Sequence, residues 1–341
     1  MVATMPPLRH LLLACLAAWM PAADLPVGLV WDERFKLHDT GRNHPERAER
    51  LDAIRAGLAD TGLLARLVPI AAVEAEERWL ELAHPASYLA LVRRAVADGA
   101  ATLPTGDTRI SAASERTARL AAGSVLAACD AVVAGTVRRA FCAVRPPGHH
   151  ATPERGMGFC IYSTVAIAAR YLGQRHGLER VLVVDWDVHH GNGTYAVLAG
   201  DARVFQFHLQ QRPLYPGSGA RDEVGTGLAA GNTINVPLAA GAGEEVMLAA
   251  IADELAPAMA RWRPQFVLVS CGFDAHRRDP LGGLALDDAS YGRLTAAVAA
   301  IADRHAEGRL VSVLEGGYDL EALRGAAAAH VAALLHDGGA R

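Results

Sequence analysis

The stretch Val181-Leu182-Val183-Val184-Asp185-Trp186-Asp187-Val188-His189-His190-Gly191-Asn192-Gly193 decides how this chain is read. Four consecutive aliphatic residues are the pattern of a strand buried on both faces, which belongs to a parallel sheet covered by helices. The run then gives way to acids, imidazoles and glycines, which close a strand and leave polar groups beyond it. In open parallel sheets ligands bind beyond the carboxyl ends of the strands.

Working outward, Val27–Trp31, Ala140–Val144, Val204–Phe207, Phe266–Val269 and Leu310–Leu314 read as further strands, and Glu115–Val133, Thr164–His176 and Glu244–Trp262 as intervening helices. The Gly- and Pro-rich stretch from Leu209 to Gly243 reads as a functional loop region with a short strand at Thr233–Val236. The predicted fold is α/β, one domain over residues 26–341, a parallel sheet sandwiched by helices with its active site at the carboxyl ends of the strands.

Composition narrows the function classes. With 341 residues, 51% hydrophobic and 21% charged, the chain can bury a full core. Net charge is −4 and the 33 basic residues are scattered, which argues against nucleic acid as a partner. The five cysteines are odd in number and lack a Cys-x-x-Cys pair, so they read as buried small hydrophobes in a reducing compartment. Residues 1–22 are signal-like, since Arg9 and His10 precede the apolar run Leu11–Met20, but the run is too short to span a bilayer and the cleavage site is poor. A start at Met20 is the alternative. A cytoplasmic protein, with no membrane partner, is expected; export is the second option, and a homo-oligomer is left open.

Three more strand ends carry polar clusters: Arg145-Pro146-Pro147-Gly148-His149-His150, Ser270-Cys271-Gly272-Phe273-Asp274-Ala275-His276 and Glu315-Gly316-Gly317-Tyr318. Their convergence is the strongest functional signal. Asp185, Asp187 and His189 are spaced by two, which on an extended chain sends their side chains to one side. Asp187 and His189 with Asp274 give one imidazole and two carboxylates, a three-ligand set with room for water. Zinc (Zn2+) is the simplest occupant, and ferrous iron (Fe2+) suits the same donors. The tandem His149-His150 can shuttle protons near neutrality, with Asp185 and Asn192 as partners that hold one ring charged and the other closer to neutral. Tyr318 offers a phenol to a developing oxyanion. Together these describe amide or ester hydrolysis by metal-activated water. No Gly-x-Ser-x-Gly elbow points to an acyl-enzyme.

With these residues in view, the sequence resembles the histone deacetylase family in its broad sense, including bacterial deacetylase-like amidohydrolases and acetylpolyamine amidohydrolases. The resemblance runs from about Val27 and rests on His38-Asp39-Thr40-Gly41 with His44-Pro45-Glu46-Arg47, the Arg-Pro-Pro-Gly-His-His run, Gly156-Met157-Gly158-Phe159-Cys160, the Asp185–Thr194 run, Tyr215-Pro216-Gly217-Ser218-Gly219, Asn235-Val236-Pro237-Leu238, Gly272–His276 with Asp279-Pro280-Leu281-Gly282-Gly283, and Glu315–Tyr318. It implies the arginase/deacetylase fold, one zinc held by Asp187, His189 and Asp274, and His149 and His150 as the catalytic pair, the second being the general base and acid. Tyr318 would polarise the scissile carbonyl. Phe159 and Tyr215 would wall an acyl-lysine channel lined also by Gly158, with Asp107 as a rim acid gripping the substrate backbone.

The chain departs from the family where Ser-Leu-His-Gln is usual. It has His208-Leu209-Gln210-Gln211, which puts in question the structural potassium ion (K+) that the serine helps to bind with Asp185 and carbonyls near Asp187 and His189. Leu281 stands where polyamine-selective relatives carry an acid, which favours an acylated lysine peptide over a small acylated amine as substrate. Alternatives are an acetylpolyamine or other small-molecule hydrolase on the same fold, a dinuclear manganese hydrolase, which Asp274-Ala275-His276 argues against, and an inactive acyl-lysine-binding module.

Overall fold

A computed structural model describes residues 25–336. The expected run of segments 1–22 lies outside the described residues. Eight strands, β1 (Val27–Val30), β2 (Leu67–Ile70), β3 (Arg139–Cys142), β4 (Val181–Asp185), β5 (Val204–Gln211), β6 (Thr233–Leu238), β7 (Phe266–Cys271) and β8 (Leu310–Leu314), form one sheet in the order β2-β1-β3-β8-β7-β4-β5-β6. Every pairing is parallel. Every residue of β4, β7 and β8 is buried, as unbroken apolar runs require when helices cover both faces.

Helices Ser114–Val133 and Thr164–His176 lie where the sequence pattern puts them, to within one residue at their starts. The segment from Glu244 to Trp262 is helical throughout but carries a π turn at Ile251–Leu255, just before Pro257, whose ring nitrogen has no proton to donate. Helix Asp288–His305 starts at an Asp287–Ser290 capping box and packs on Leu320–Leu334, which in turn packs on Glu49–Asp60. Among the described residues no helix is long and apolar enough to cross a membrane.

Three expectations need correction. The segment read as a loop from Leu209 is strand as far as Gln211, and β6 runs on to Leu238. His208, Gln210 and Gln211 are polar yet buried, which disguises the strand. β3 starts at Arg139 and ends at Cys142, two residues before Val144. The edge strand β2, four residues long and holding Pro69, goes unseen in the sequence because proline fits only an edge.

Candidate active site

The four central strands β3, β8, β7 and β4 are neighbours, so the polar segments that follow them meet above one part of the sheet. Beyond Asp185 the chain does not continue extended, contrary to the simple alternation argument. It bends through Asp187–His189, and the bend is held by its own acids: Asp187 N–H donates to Asp185 Oδ1 at 3.1 Å and His189 N–H to Asp187 Oδ1 at 3.0 Å.

That bend brings donor atoms of Asp187 and His189 together with a third, from Asp274 after β7. His189 Nδ1 lies 3.1 Å from Asp187 Oδ1 and 3.2 Å from Asp274 Oδ2, and one ligand atom of each residue falls within 4.8 Å of the others. One ring nitrogen cannot satisfy two carboxylates at once, so the three converge as ligands around a cation would. Their outer oxygens are fixed by backbone donors, Gly316 N–H to Asp187 Oδ2 at 2.8 Å and Val188 N–H to Asp274 Oδ1 at 2.9 Å. Gly316 must be glycine here, because a Cβ would stand 2.1 Å from Asp274 Oδ2 and 2.6 Å from Asp187 Oδ2. Burial and the charge of Asp187 push Asp274 up to about 7. Burial opposes charge on His189, but its contacts with Asp187 and Asp274 raise it to about 10. The donor set fits a divalent zinc or iron ion.

The paired imidazoles sit beside this cluster with ring centroids 4.0 Å apart. His149 Nδ1 lies 3.1 Å from Asp185 Oδ2, and His150 Nδ1 lies 2.7 Å from Asn192 Oδ1. The two therefore differ in character. Burial disfavours charge on His149, yet Asp187 and Asp185 hold its basicity well above the usual histidine value. Burial and the neighbouring His149 and His189 push that of His150 well below it. With Nδ1–H donated to the amide oxygen, His150 carries its lone pair on Nε2.

A cavity of about 270 Å³ opens onto these groups, lined by Asp107, His150, Gly158, Phe159, His189, Leu214, Tyr215, Leu281 and Tyr318. Tyr215 stands edge-on to His150 with centroids 5.1 Å apart, and Phe159 edge-on to Tyr318 at 5.9 Å. Gly158 has φ +55° and lies flat against His150, where a Cβ would meet ring Cδ2 at 2.3 Å. Its N–H donates to Asp107 Oδ1 at 2.7 Å.

All thirteen residues singled out from the sequence thus lie in or directly around one cavity. Sequence reasoning missed Leu214, which nothing but its place beside Tyr215 could have flagged. It also gave no role to Asp279, whose Oδ2 accepts the Tyr318 N–H at 2.6 Å and whose Oδ1 accepts the Leu281 N–H at 3.0 Å. Beneath Tyr318 lies a buried ion network. Arg145 grips Glu46 with a forked contact and donates to the carbonyls of Phe35 and His38. Arg50 contacts Glu46 at 3.2 Å, donates to Gly317 O at 2.7 Å and stacks 5.1 Å from the Tyr318 ring.

At the potassium position implied by the resemblance, Asp185 is kept but the serine oxygen is replaced by His208. His208 is fully buried with both ring nitrogens unpartnered and Nδ1 3.9 Å from Asp185 Oδ2, and potassium is a hard cation that takes oxygen donors.

A parallel α/β sheet that gathers two carboxylates, three imidazoles and a phenol beyond adjacent central strands defines a hydrolase acting on amide bonds. The family model described as "Histone deacetylase domain" matches residues 44–334, and the chain belongs to that family. A "Histone deacetylase-like amidohydrolase" of Pseudomonas aeruginosa is 40% identical, covering 89% of this chain and 78% of its own length. A "Probable deacetylase" of Archaeoglobus fulgidus is 37% identical over 86% of this chain and 82% of its own. Among solved structures, the "HDA15 HD domain" superposes with a TM-score of 0.86 at 35% identity, covering 92% of this chain and 90% of that one, so the fold is the arginase/deacetylase type.

Proposed function

We propose that this chain is a zinc-dependent deacetylase that removes a short acyl group from an acylated lysine side chain. The observation that carries the reading is the unequal pair: His149 on a carboxylate, His150 on an amide, both beside the Asp187–His189–Asp274 cluster. Asp187, His189 and Asp274 would hold the ion, which supplies Lewis acidity for the carbonyl and for an attacking water.

The chain's own residues do the rest. His150 Nε2 takes the proton of the attacking water and returns it to the leaving amine nitrogen. A ring kept neutral by burial is suited to both steps. His149, held as imidazolium by Asp185, stabilises the negative charge that develops beside it. The Tyr318 hydroxyl, kept protonated by burial, donates a hydrogen bond to the carbonyl oxygen as it becomes an oxyanion. Phe159, Tyr215, Leu214 and Leu281 offer flat apolar walls to an aliphatic stem and exclude water. Asp107 keeps Oδ2 for a backbone N–H at the rim while Oδ1 holds Gly158.

The wall position Leu281 supports a neutral stem over a polyamine, since an internal ammonium there would meet a methyl group. Purified protein is expected to bind one zinc at this site and to turn over acetyl-lysine peptides faster than acetylspermidine. A strong preference for acetylspermidine defeats the substrate assignment. His150→Ala and Tyr318→Phe are each expected to retain that zinc and lose about 10²–10⁴-fold and about 10²–10³-fold of kcat respectively. Undiminished turnover by either variant removes its residue from the mechanism.

A further inference from the structure

Under the histidine pair lies a second set of ligating atoms that the reaction does not use as a set. A ring nitrogen of His149, Sγ of Cys160 and a carboxylate oxygen of Glu315 lie within 4.8 Å of one another, and all three residues are buried. They come from three separate segments, following β3, from the Gly156–Cys160 turn, and from the end of β8.

Glu315 is the telling member. Its Oε2 accepts the N–H groups of Gly148 at 2.7 Å and His149 at 3.1 Å, while Oε1 is enclosed with no hydrogen-bond partner. A carboxylate oxygen left bare in the interior is costly, and a bound cation satisfies it. Cys160 Sγ has only weak contacts, 3.4 Å from His150 N and 3.3 Å from Gly158 O. On His149, Nδ1 lies 3.1 Å from Asp185 Oδ2 and Nε2 3.8 Å from Asp187 Oδ1, too far for a hydrogen bond, so Nε2 is the nitrogen that can take a ligand. Donors around a tetrahedral zinc stand about 3.4 Å apart, so side-chain shifts of about 1 Å close the set on an ion.

We infer that His149, Cys160 and Glu315 form a second divalent-cation site, and that a zinc ion held there stops turnover. Thiolate, imidazole and carboxylate are all donors that zinc accepts. Binding forms Zn–S, Zn–N and Zn–O bonds and releases to solvent the thiol proton of Cys160, the Nε2 proton of His149 and the proton of that fraction of Glu315 that is protonated. A ligated His149 no longer carries the imidazolium charge. That loss of activity rests on the role proposed for His149; the binding does not.

The two sites differ in one readable way, since only the second contains sulfur. Metal-free full-length protein titrated with Co2+ is expected to bind two equivalents, one of them bringing a near-ultraviolet thiolate-to-cobalt charge-transfer band. Cys160→Ser should abolish the band and leave one equivalent. Glu315→Gln should weaken the band-forming equivalent at least about tenfold, the cost of one charged ligand. With Zn2+, the second equivalent should lower wild-type turnover about a hundredfold, and Cys160→Ser should not show this loss. Saturation at one equivalent, a second equivalent without the band, or equal zinc inhibition of Cys160→Ser each overturns the assignment. A band-forming equivalent in protein that hydrolyses no acyl-amine sustains this site and defeats the deacetylase reading instead.

Discussion

Two buried glutamates, Glu46 and Glu315, stand on either side of Arg50 and have opposite characters. Both are fully enclosed, and burial alone raises any carboxyl group. Glu46 faces the guanidinium groups of Arg145 and Arg50, which overcome that penalty and bring it down to about 2. Burial keeps Glu315 up at about 7, with the charge of His149 and two backbone N–H groups in favour of its ionised form and Asp185 against it. Arg50 does donate to Glu315, but to its backbone carbonyl. The first carboxylate sits between two guanidinium groups in a network that fixes the loop before Tyr318. The second has one cation within reach, His149, which does not overcome burial. Burial sets the stakes, and the count of cations within reach decides the outcome.

That contrast can be broken most directly by removing each acid. Glu46→Ala leaves two guanidinium groups buried without their partner and should cost about 3–5 kcal/mol in denaturant unfolding; a loss near zero would show the network to be dispensable. Acid titration gives the next largest effect. Glu46 falls from the usual 4.5 to about 2 on folding, so its stabilisation is complete above pH 4.5 and is lost as pH falls through about 2. It amounts to about 3 kcal/mol, read as the difference between wild type and Glu46→Gln across that window. Glu315 runs the other way. Raised to about 7, its contribution is complete below pH 4.5 and lost as pH rises through about 7. Glu315→Gln, whose amide oxygen still accepts the two N–H groups, should therefore gain about 3 kcal/mol on wild type in metal-free protein between pH 4 and pH 8. A pH-independent difference would erase the distinction between the two acids.

The chemistry was legible because it is local. Asp187, His189, His149, His150 and Tyr318 each lie a few residues past an apolar run, and a strand end announces itself by its change of composition. The pairing of Glu46 with Arg145 was not legible: each lies in a motif quoted above, but the two are 99 residues apart and nothing in either motif points to the other. β2 was hidden by Pro69, and the far end of β5 by polar residues whose burial only the third dimension reveals. The helices Asp288–His305 and Leu320–Leu334 are not among those read from the sequence, although Asp287 and Asp319 are ordinary capping acids for them.

The order of strands divides labour across the sheet. Proton transfer and ion binding are assigned to segments following the inner four strands. Two of the cavity walls, Leu214 and Tyr215, follow β5 instead, and Asp107 comes from the segment ahead of β3. A change at Leu214, Tyr215 or Asp107 would then alter what enters the cavity without touching the segments that carry the ligating and proton-transferring groups, whereas Phe159 and Leu281, which follow β3 and β7, share their segments with His150 and Asp274.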